Sequence, residues 1–150
     1  TAIDFDLDDV VKKNKDNNVF YCQYAYARAS SIINKSKDLN IKFQQFDDKN
    51  LFNNYITNDE LKLIKLMISY PFLVYQSAQN NEPHRLVNYL EMLCSNFHSL
   101  WNKGKDNESL TFIDENNIEK TIIKLFWIES FRNIIKEICS IIGVDLFEKM

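Results

Sequence analysis

Ring-bearing side chains interleaved with hydrogen-bonding ones are the most chemically suggestive pattern in this chain. Asn17, Asn18, Gln23 and Arg28 stand around Tyr24 and Tyr26, and Trp101 follows much later. Rings together with amide and guanidinium groups can hold a single-stranded RNA loop. Its splayed bases stack on the planes and offer their edges to donors and acceptors. The same residues admit a plainer account. Taken alone, Tyr24 and Trp101 read first as core aromatics and second as stacking planes. Arg28 suits a backbone phosphate and an acidic helix neighbour equally.

No catalytic set accompanies them. Gly104 and Gly143 are the only glycines, so there is no Gly-rich loop to cradle phosphate. His84 follows Pro83 at a helix start, and His98 lies between Phe97 and Ser99 on a helix. Capping, packing or surface roles account for both. Asp8 with Asp9 and Asp47 with Asp48 read as helix-start and loop charge without a metal partner set. Cys22, Cys94 and Cys139 are far apart, form no CxxC, and sit in apolar helical stretches. Buried reduced thiols in a cytoplasmic protein are the expectation.

The formal net charge is −3, which is not the basic footprint of a typical nucleic-acid binder. Contact with RNA would have to use local clusters: Lys12, Lys13 and Lys15, then Lys35 and Lys37, then Lys103 and Lys105. Each also fits a solvated face or loop. No apolar run reaches membrane-spanning length and no signal peptide is visible, so no membrane partner is expected. The chain opens at Thr1 without a methionine and is read as an excised fragment holding one domain over 1–150.

The elements that position these residues are helices. With 45% hydrophobic and 13% aromatic residues, a chain of 150 can bury a large core without disulfides or metal. Only 2 Gly and 2 Pro punctuate it, which favours long helices over a many-stranded sheet. An all-α antiparallel bundle is expected. Its longest helices should span about 18–37, 58–79, 84–103 and 118–142, with shorter ones over 4–15 and near 50–56.

Local signals refine this. Asn17 or Asn18 can cap the first long helix, whose stripe Phe20, Tyr24, Ala27, Ser31 recurs at helical spacing. Phe43, Phe46, Leu51, Phe52 and Tyr55 suggest that the irregular stretch after it packs. Thr57 and Glu60 have capping-box spacing. Leu61, Ile64, Met67, Ile68 and Phe72 should be buried beyond them, with Pro71 kinking or breaking the helix. Asn80, Asn81 and Glu82 make a turn. Leu86, Leu90, Leu93, Phe97 and Leu100 form the next core stripe, ended by Gly104 as a left-handed cap. Residues 105–116 are polar and expected to be a mobile loop. The last helix should be central, with Ile122, Leu125, Ile128 or Glu129, Ile135, Ile138 and Ile142 marking its inner face and Trp127, Phe131, Ile134 and Ile141 widening it, and should stop at Gly143.

Three segments, in order, resemble the end of bacterial arginyl-tRNA synthetases. The first runs from the Phe5-Asp6 segment to Gln23-Tyr24-Ala25-Tyr26-Ala27-Arg28. The family pattern there has Gln-Tyr-Ala-His-Ala-Arg. The second is Pro71 with Glu82-Pro83-His84-Arg85-Leu86 and Tyr89-Leu90, continuing to Phe97-His98 and an aromatic shortly after. The third is Arg132, Ile141-Ile142-Gly143-Val144 and Met150. The match covers nearly the whole chain, and the order and spacing together are specific. The departures are Asn18 where the family has proline, Tyr26 in place of its His, Trp101 in place of its usual Tyr, and a long 105–117 loop.

The resemblance implies a C-terminal, DALR-type anticodon-binding domain of a class I synthetase. The parent enzyme would attach arginine to its tRNA using ATP with Mg in a catalytic domain absent from this chain. The partners implied are the anticodon loop of a tRNA for arginine and the parent's own catalytic domain. The second anticodon base, a cytosine, would be a main identity element. The resemblance places the first long helix, the end of the Leu86–Trp101 helix and the tail around the loop bases. It favours Tyr24 and Trp101 as base contacts, with Met150 closing the pocket through its side chain or carboxylate. It leaves Tyr26 open, keeps Asn18, Gln23 and Arg28 as polar candidates, and leaves Phe20, Leu90, Leu93 and Phe97 to the core. Two rivals remain. The bundle of another synthetase would lack this set of motifs. A helical protein-interaction module would suit the acidic charge better and would show an exposed apolar groove.

Overall fold

The computed structural model describes residues 17–41 and 49–150. The expected helix over 4–15, the cluster Lys12, Lys13, Lys15, and the packing of Phe43, Phe46 and Leu51 lie outside the described residues or their side chains. Six α-helices and one 3-10 turn make up the rest: α1 Asn18–Asp38, α2 Lys49–Tyr55, α3 Asn58–Ile68, α4 Tyr70–Asn80, α5 His84–Lys103, the 3-10 turn Glu108–Leu110, and α6 Ile118–Ile142. No strand occurs among the described residues. The all-α class follows the sequence.

Asn17 caps α1, its side chain accepting from the Phe20 N–H at 3.1 Å. The face α1 buries differs from the expected stripe. Ala25, Ala29 and Ile33 are fully buried beside Cys22, Tyr26 and Ile32. Ser31 is exposed, and Phe20 and Tyr24 are only half-buried. Small residues let α1 pack closely on α5 and α6, while its larger rings turn to an open cleft. Apolar periodicity had weighted the rings above the alanines.

The expected helix over 58–79 is two helices. Thr57 and Glu60 form the full capping box at its start. The break falls at Ser69 because Pro71 has no N–H to continue the ladder. The chain tightens there, Ser69 N donating to Leu66 O at 3.1 Å. The Tyr89 hydroxyl of α5 donates to the same carbonyl at 3.0 Å. The break rotates the following face. Leu63 and Met67 are buried, whereas Ile68 and Phe72, expected inside, are 72% and 62% exposed. Asn81, at φ 55°, makes the left-handed turn before α5.

The α5 stripe Leu86, Leu90, Leu93, Phe97 and Leu100 is buried as expected. Gly104 is not left-handed: its φ is −66°. Glycine is favoured there by close approach instead, since a Cβ would stand 3.3 Å from the Leu110 carbonyl oxygen. Nor is the 105–116 stretch a loose loop. Leu110 is buried. Asn107 caps the 3-10 turn through Ser109 N at 3.0 Å. Asp114 pairs with Lys120 at 2.9 Å. The Thr121 hydroxyl donates to Asp114 O and accepts from Asp114 N.

The long helix α6 is central, contacting α1, α2, α3 and α5. Leu125, Ile128, Phe131, Ile135 and Ile138 are fully buried, and Gly143 ends the helix at φ 75°. Ile141, expected on the inner face, is 57% exposed. Lys124 of α6 is also fully buried, 3.0 Å from Glu60 of α3, and its ammonium donates to the Ser109 carbonyl. All three free thiols are buried.

Removing one partner of a buried ion pair leaves the other charge without compensation, at about 3–5 kcal/mol. Lys124→Met is expected to lower stability by that amount, read as a fall in the urea midpoint. Glu60→Gln combined with Lys124→Met keeps a capping-box residue at position 60 and should recover most of the loss. An unchanged midpoint in Lys124→Met would show that the pair does not hold these segments together.

Candidate nucleic-acid interface

A cleft of about 930 Å³ opens where the outer face of α1, the end of α5 and the tail after Gly143 meet. Phe20, Tyr21, Gln23, Tyr24 and Arg28 reach it from α1. His98 and Asn102 come from α5, and Phe147, Lys149 and Met150 from the tail. The two cations, Arg28 and Lys149, meet no Asp or Glu side chain in this lining.

Arg28 is the best-held of these groups. Its Nη1 is 2.9 Å from His98 Nδ1, and its Nη2 donates to the Tyr24 hydroxyl at 3.0 Å. The guanidinium carbon lies 4.1 Å from the Tyr24 ring centroid and 4.8 Å from that of Trp101. Cation–π attraction therefore restrains the fork on two sides. Among the described residues no carboxylate lies within ion-pair distance of Arg28. Two of the five guanidinium N–H donors are used by His98 and Tyr24. These two bonds leave the other three donors unengaged.

His98 sets the fork's position. It is buried, with Nε2 3.0 Å from the Tyr21 carbonyl oxygen. A carbonyl can only accept and a guanidinium can only donate. The ring must therefore carry its proton on Nε2 and accept at Nδ1. Tyr21 and Tyr24 flank it, with ring centroids 4.1 Å and 5.7 Å away.

The tail is fastened to α1. Gln23 Nε2 donates to Asp145 O at 2.7 Å, and Val144 N bonds Cys139 O at 2.9 Å. These bonds bring Phe147, which is 52% exposed, over the cleft beside Met150.

Of the residues singled out from sequence, Tyr24, Gln23, Arg28 and Met150 converge on this cleft. Trp101 sits behind Arg28 rather than in the lining, packed on Phe97 and Phe112. Tyr26 is 7% exposed and belongs to the core. Two residues of helix turn it about 200° from Tyr24. Asn18 faces elsewhere, its Nδ2 donating to Glu91 of α5 at 2.6 Å. Phe20, assigned to the core, lines the cleft and stacks on Tyr24 with centroids 6.1 Å apart. Sequence reasoning also passed over Tyr21, His98, Asn102, Phe147 and Lys149. The signal for Phe147 was the one aromatic of the tail after Gly143; none marked Asn102.

Burial lowers the His98 pKa below its ordinary 6.5; the bond to the Tyr21 carbonyl opposes this, and the Arg28 charge adds to it. Folding thus favours the neutral ring. Its contribution to stability is fully present above the unfolded value and is lost as pH falls through the lowered folded one. Between about pH 7.5 and about pH 5, the wild type should lose stability more steeply than His98→Asn. Equal slopes in paired urea titrations would remove His98 from this role.

Elsewhere, phosphate chemistry finds little support. Gly104 and Gly143 both stand at helix C-termini, where the dipole disfavours anions. No group of three His, Cys, Asp or Glu among the described residues is placed to hold a metal ion. No helix among the described residues is long and apolar enough to cross a membrane.

A cationic, ring-lined cleft on a helical bundle gains meaning from its relatives. An arginine–tRNA ligase of Bartonella bacilliformis is 39% identical over 144 residues, covering 95% of this chain and 25% of that protein. One from Pelagibacter ubique is 39% identical over 155 residues, covering 99% and 25%. The chain thus spans about a quarter of the length of these curated relatives. A crystal structure assigned to an arginyl-tRNA synthetase of Campylobacter jejuni shares the fold, with a TM-score of 0.71 at 22% identity over 97% of this chain and 29% of that one. The sequence pattern of the DALR anticodon binding domain matches residues 22–150, and the chain belongs to that family.

Proposed function

We propose that this domain grips the anticodon loop of a tRNA for arginine, as part of an arginine–tRNA ligase in the cytoplasm. In this reading, residues 1–150 form one excised domain, and the remainder of the parent supplies the catalytic site and holds ATP with Mg. The observation that carries the proposal is Arg28, a guanidinium held by His98 and Tyr24 with no carboxylate partner and with donors left over.

The chemistry suits a cytosine. A base splayed from the loop enters between the α1 rings and Phe147 with Met150. There its edge meets Arg28. Cytosine presents two adjacent acceptors, O2 and N3, to a fork of N–H donors. Uracil presents an N3–H instead, which sets donor against donor and leaves buried groups unpaired. Lys149 is available to a neighbouring phosphate.

Charged hydrogen bonds contribute about 1.5–3 kcal/mol, and a stacked base about 1–3 kcal/mol on truncation of its aromatic partner. Arg28→Ala and Phe147→Ala should weaken binding of a cytosine-bearing anticodon hairpin by those amounts; Tyr24→Ala and Met150→Ala should also weaken it. With uracil at the second anticodon position, Arg28→Ala should matter much less. Simple additivity of the protein and base changes in a double-mutant cycle would discard the pocket assignment. Affinity that does not fall with added salt would point to the protein-interaction reading.

A further inference from the structure

Two rivals compete for one atom of His98. Its Nε2 is spent on the Tyr21 carbonyl oxygen at 3.0 Å, so Nδ1 is the nitrogen open to a further proton. Nδ1 is also the atom that accepts from Arg28 Nη1 at 2.9 Å. With the guanidinium in place, its lone pair is occupied. With a proton in place, an N–H faces an N–H and two positive charges meet across the same gap.

The geometry decides which partner yields. The ring is buried and flanked by Tyr21 and Tyr24, and turning it over would give up the Tyr21 carbonyl. Arg28 borders the open cleft and has room to move. Protonation of His98 therefore displaces the fork that the cleft presents to its ligand.

Few other ionisable groups face the ring. Tyr21, Tyr24 and Arg28 reach it from α1, and Cys94 lies about one turn before it on α5. Lys149 and Met150, which bears the chain's carboxylate, stand in the cleft lining, with Glu148 beside Lys149 in the chain. The central helix α6 meets this part of α5 through Phe131, against Phe97, and its Glu129 and Arg132 pair with each other at 2.7 Å. Burial first, then the opposing Tyr21 bond, then the Arg28 charge set where the ring titrates, below its ordinary 6.5.

We infer that His98 is a proton-sensitive positioning residue: the cleft grips RNA through Arg28 only while His98 is neutral, and a charged His98 must release its Nδ1 proton to solvent when RNA binds. This rests on the anticodon-loop reading. The sign is opposite to that of the chain as a whole. Acidification protonates carboxylates and makes an acidic chain less negative, which favours a polyanion. The His98 switch makes affinity fall instead.

The test uses the 150-residue chain and an anticodon-arm RNA hairpin with cytosine or uracil at the second anticodon position. Salt is fixed, and circular dichroism checks the fold at each pH. In the wild type, Kd for the cytosine hairpin should rise as pH falls from about 7.5 to about 5.5, by at most about tenfold per pH unit, the limit for one proton. His98→Asn keeps an acceptor near Nδ1 and cannot take the proton, so that rise should vanish. His98→Phe has no acceptor and should bind about tenfold or more weakly than the wild type at neutral pH, with His98→Asn tighter than His98→Phe. NMR reads the ring directly, since the chain has only two histidines: adding the cytosine hairpin should lower the His98 pKa. A pKa that rises on binding, as a nearby polyanion alone would cause, overturns the proposal. So does a wild-type profile parallel to that of His98→Asn. If His98→Asn does not fold, the NMR shift decides. Failure to distinguish cytosine from uracil at about pH 7.5 sinks the anticodon reading itself, whereas that preference with parallel profiles sinks only the switch.

Discussion

The fully buried contact between Lys124 and Glu60 constrains more of this molecule than any other single interaction. Glu60 spends its other oxygen on the Thr57 N–H and hydroxyl, 2.8 Å from each, and so fixes where α3 begins. Lys124 reaches from α6 to the Ser109 carbonyl and so fixes the stretch between α5 and α6. Burial lowers the Lys124 pKa while Glu60 pulls it back up. A lone ammonium there would be driven to give up its proton. Three segments distant in sequence are therefore joined through two side chains, one of which also caps a helix.

What that knot holds in place is a division of labour on α1. Ala25 and Ala29, fully buried, bring its inner face close to the bundle. Its outer face carries Phe20, Tyr24 and Arg28, one helical turn apart and free to line a cleft. Tyr26, between them, goes inward with the alanines. Small residues at Ala25 and Ala29 allow close approach there, while Phe20 and Tyr24 stay half-buried on the outer face.

Much of the fold was legible in advance because it depends on local rules. The capping box at Thr57, the stop at Gly143 and the α5 stripe each follow from backbone donors, handedness or period. The misses came where tertiary contacts decide. Pro71 told of a disturbance, but only the Tyr89 hydroxyl on the Leu66 carbonyl shows how a full break is accommodated. Gly104 read as a left-handed cap because sequence does not reveal a carbonyl packed against a helix end. The 105–117 stretch looked mobile because its polar residues were counted as solvated, whereas Asp114, Lys120, Thr121 and Lys124 satisfy one another or the backbone. In the candidate site, Arg28, Tyr24, Gln23 and Met150 were visible by type and by family pattern. His98 stood beside Phe97 in the family pattern, but its role was not legible, because its partners lie 70 and 77 residues away.

The remaining tension is that a chain of net charge −3 is assigned a polyanionic partner. Net charge governs long-range attraction, which at physiological salt is screened beyond about 8 Å. Within that distance only the local set counts. In the cleft lining the charged side chains are Arg28 and Lys149, with Glu148 next to Lys149 in the chain. The neutral tautomer of His98 strengthens this arrangement in a way a carboxylate could not. A carboxylate at the same spot would position the guanidinium equally well but would cancel its charge. An imidazole nitrogen accepts the same hydrogen bond and leaves the charge in place for a ligand. The cost of keeping an uncompensated cation is eased by the rings of Tyr24 and Trp101, whose faces are negative without being ionised. On the proposed reading, selectivity comes from an oriented cation rather than from a basic surface, and an acidic domain is no obstacle to it.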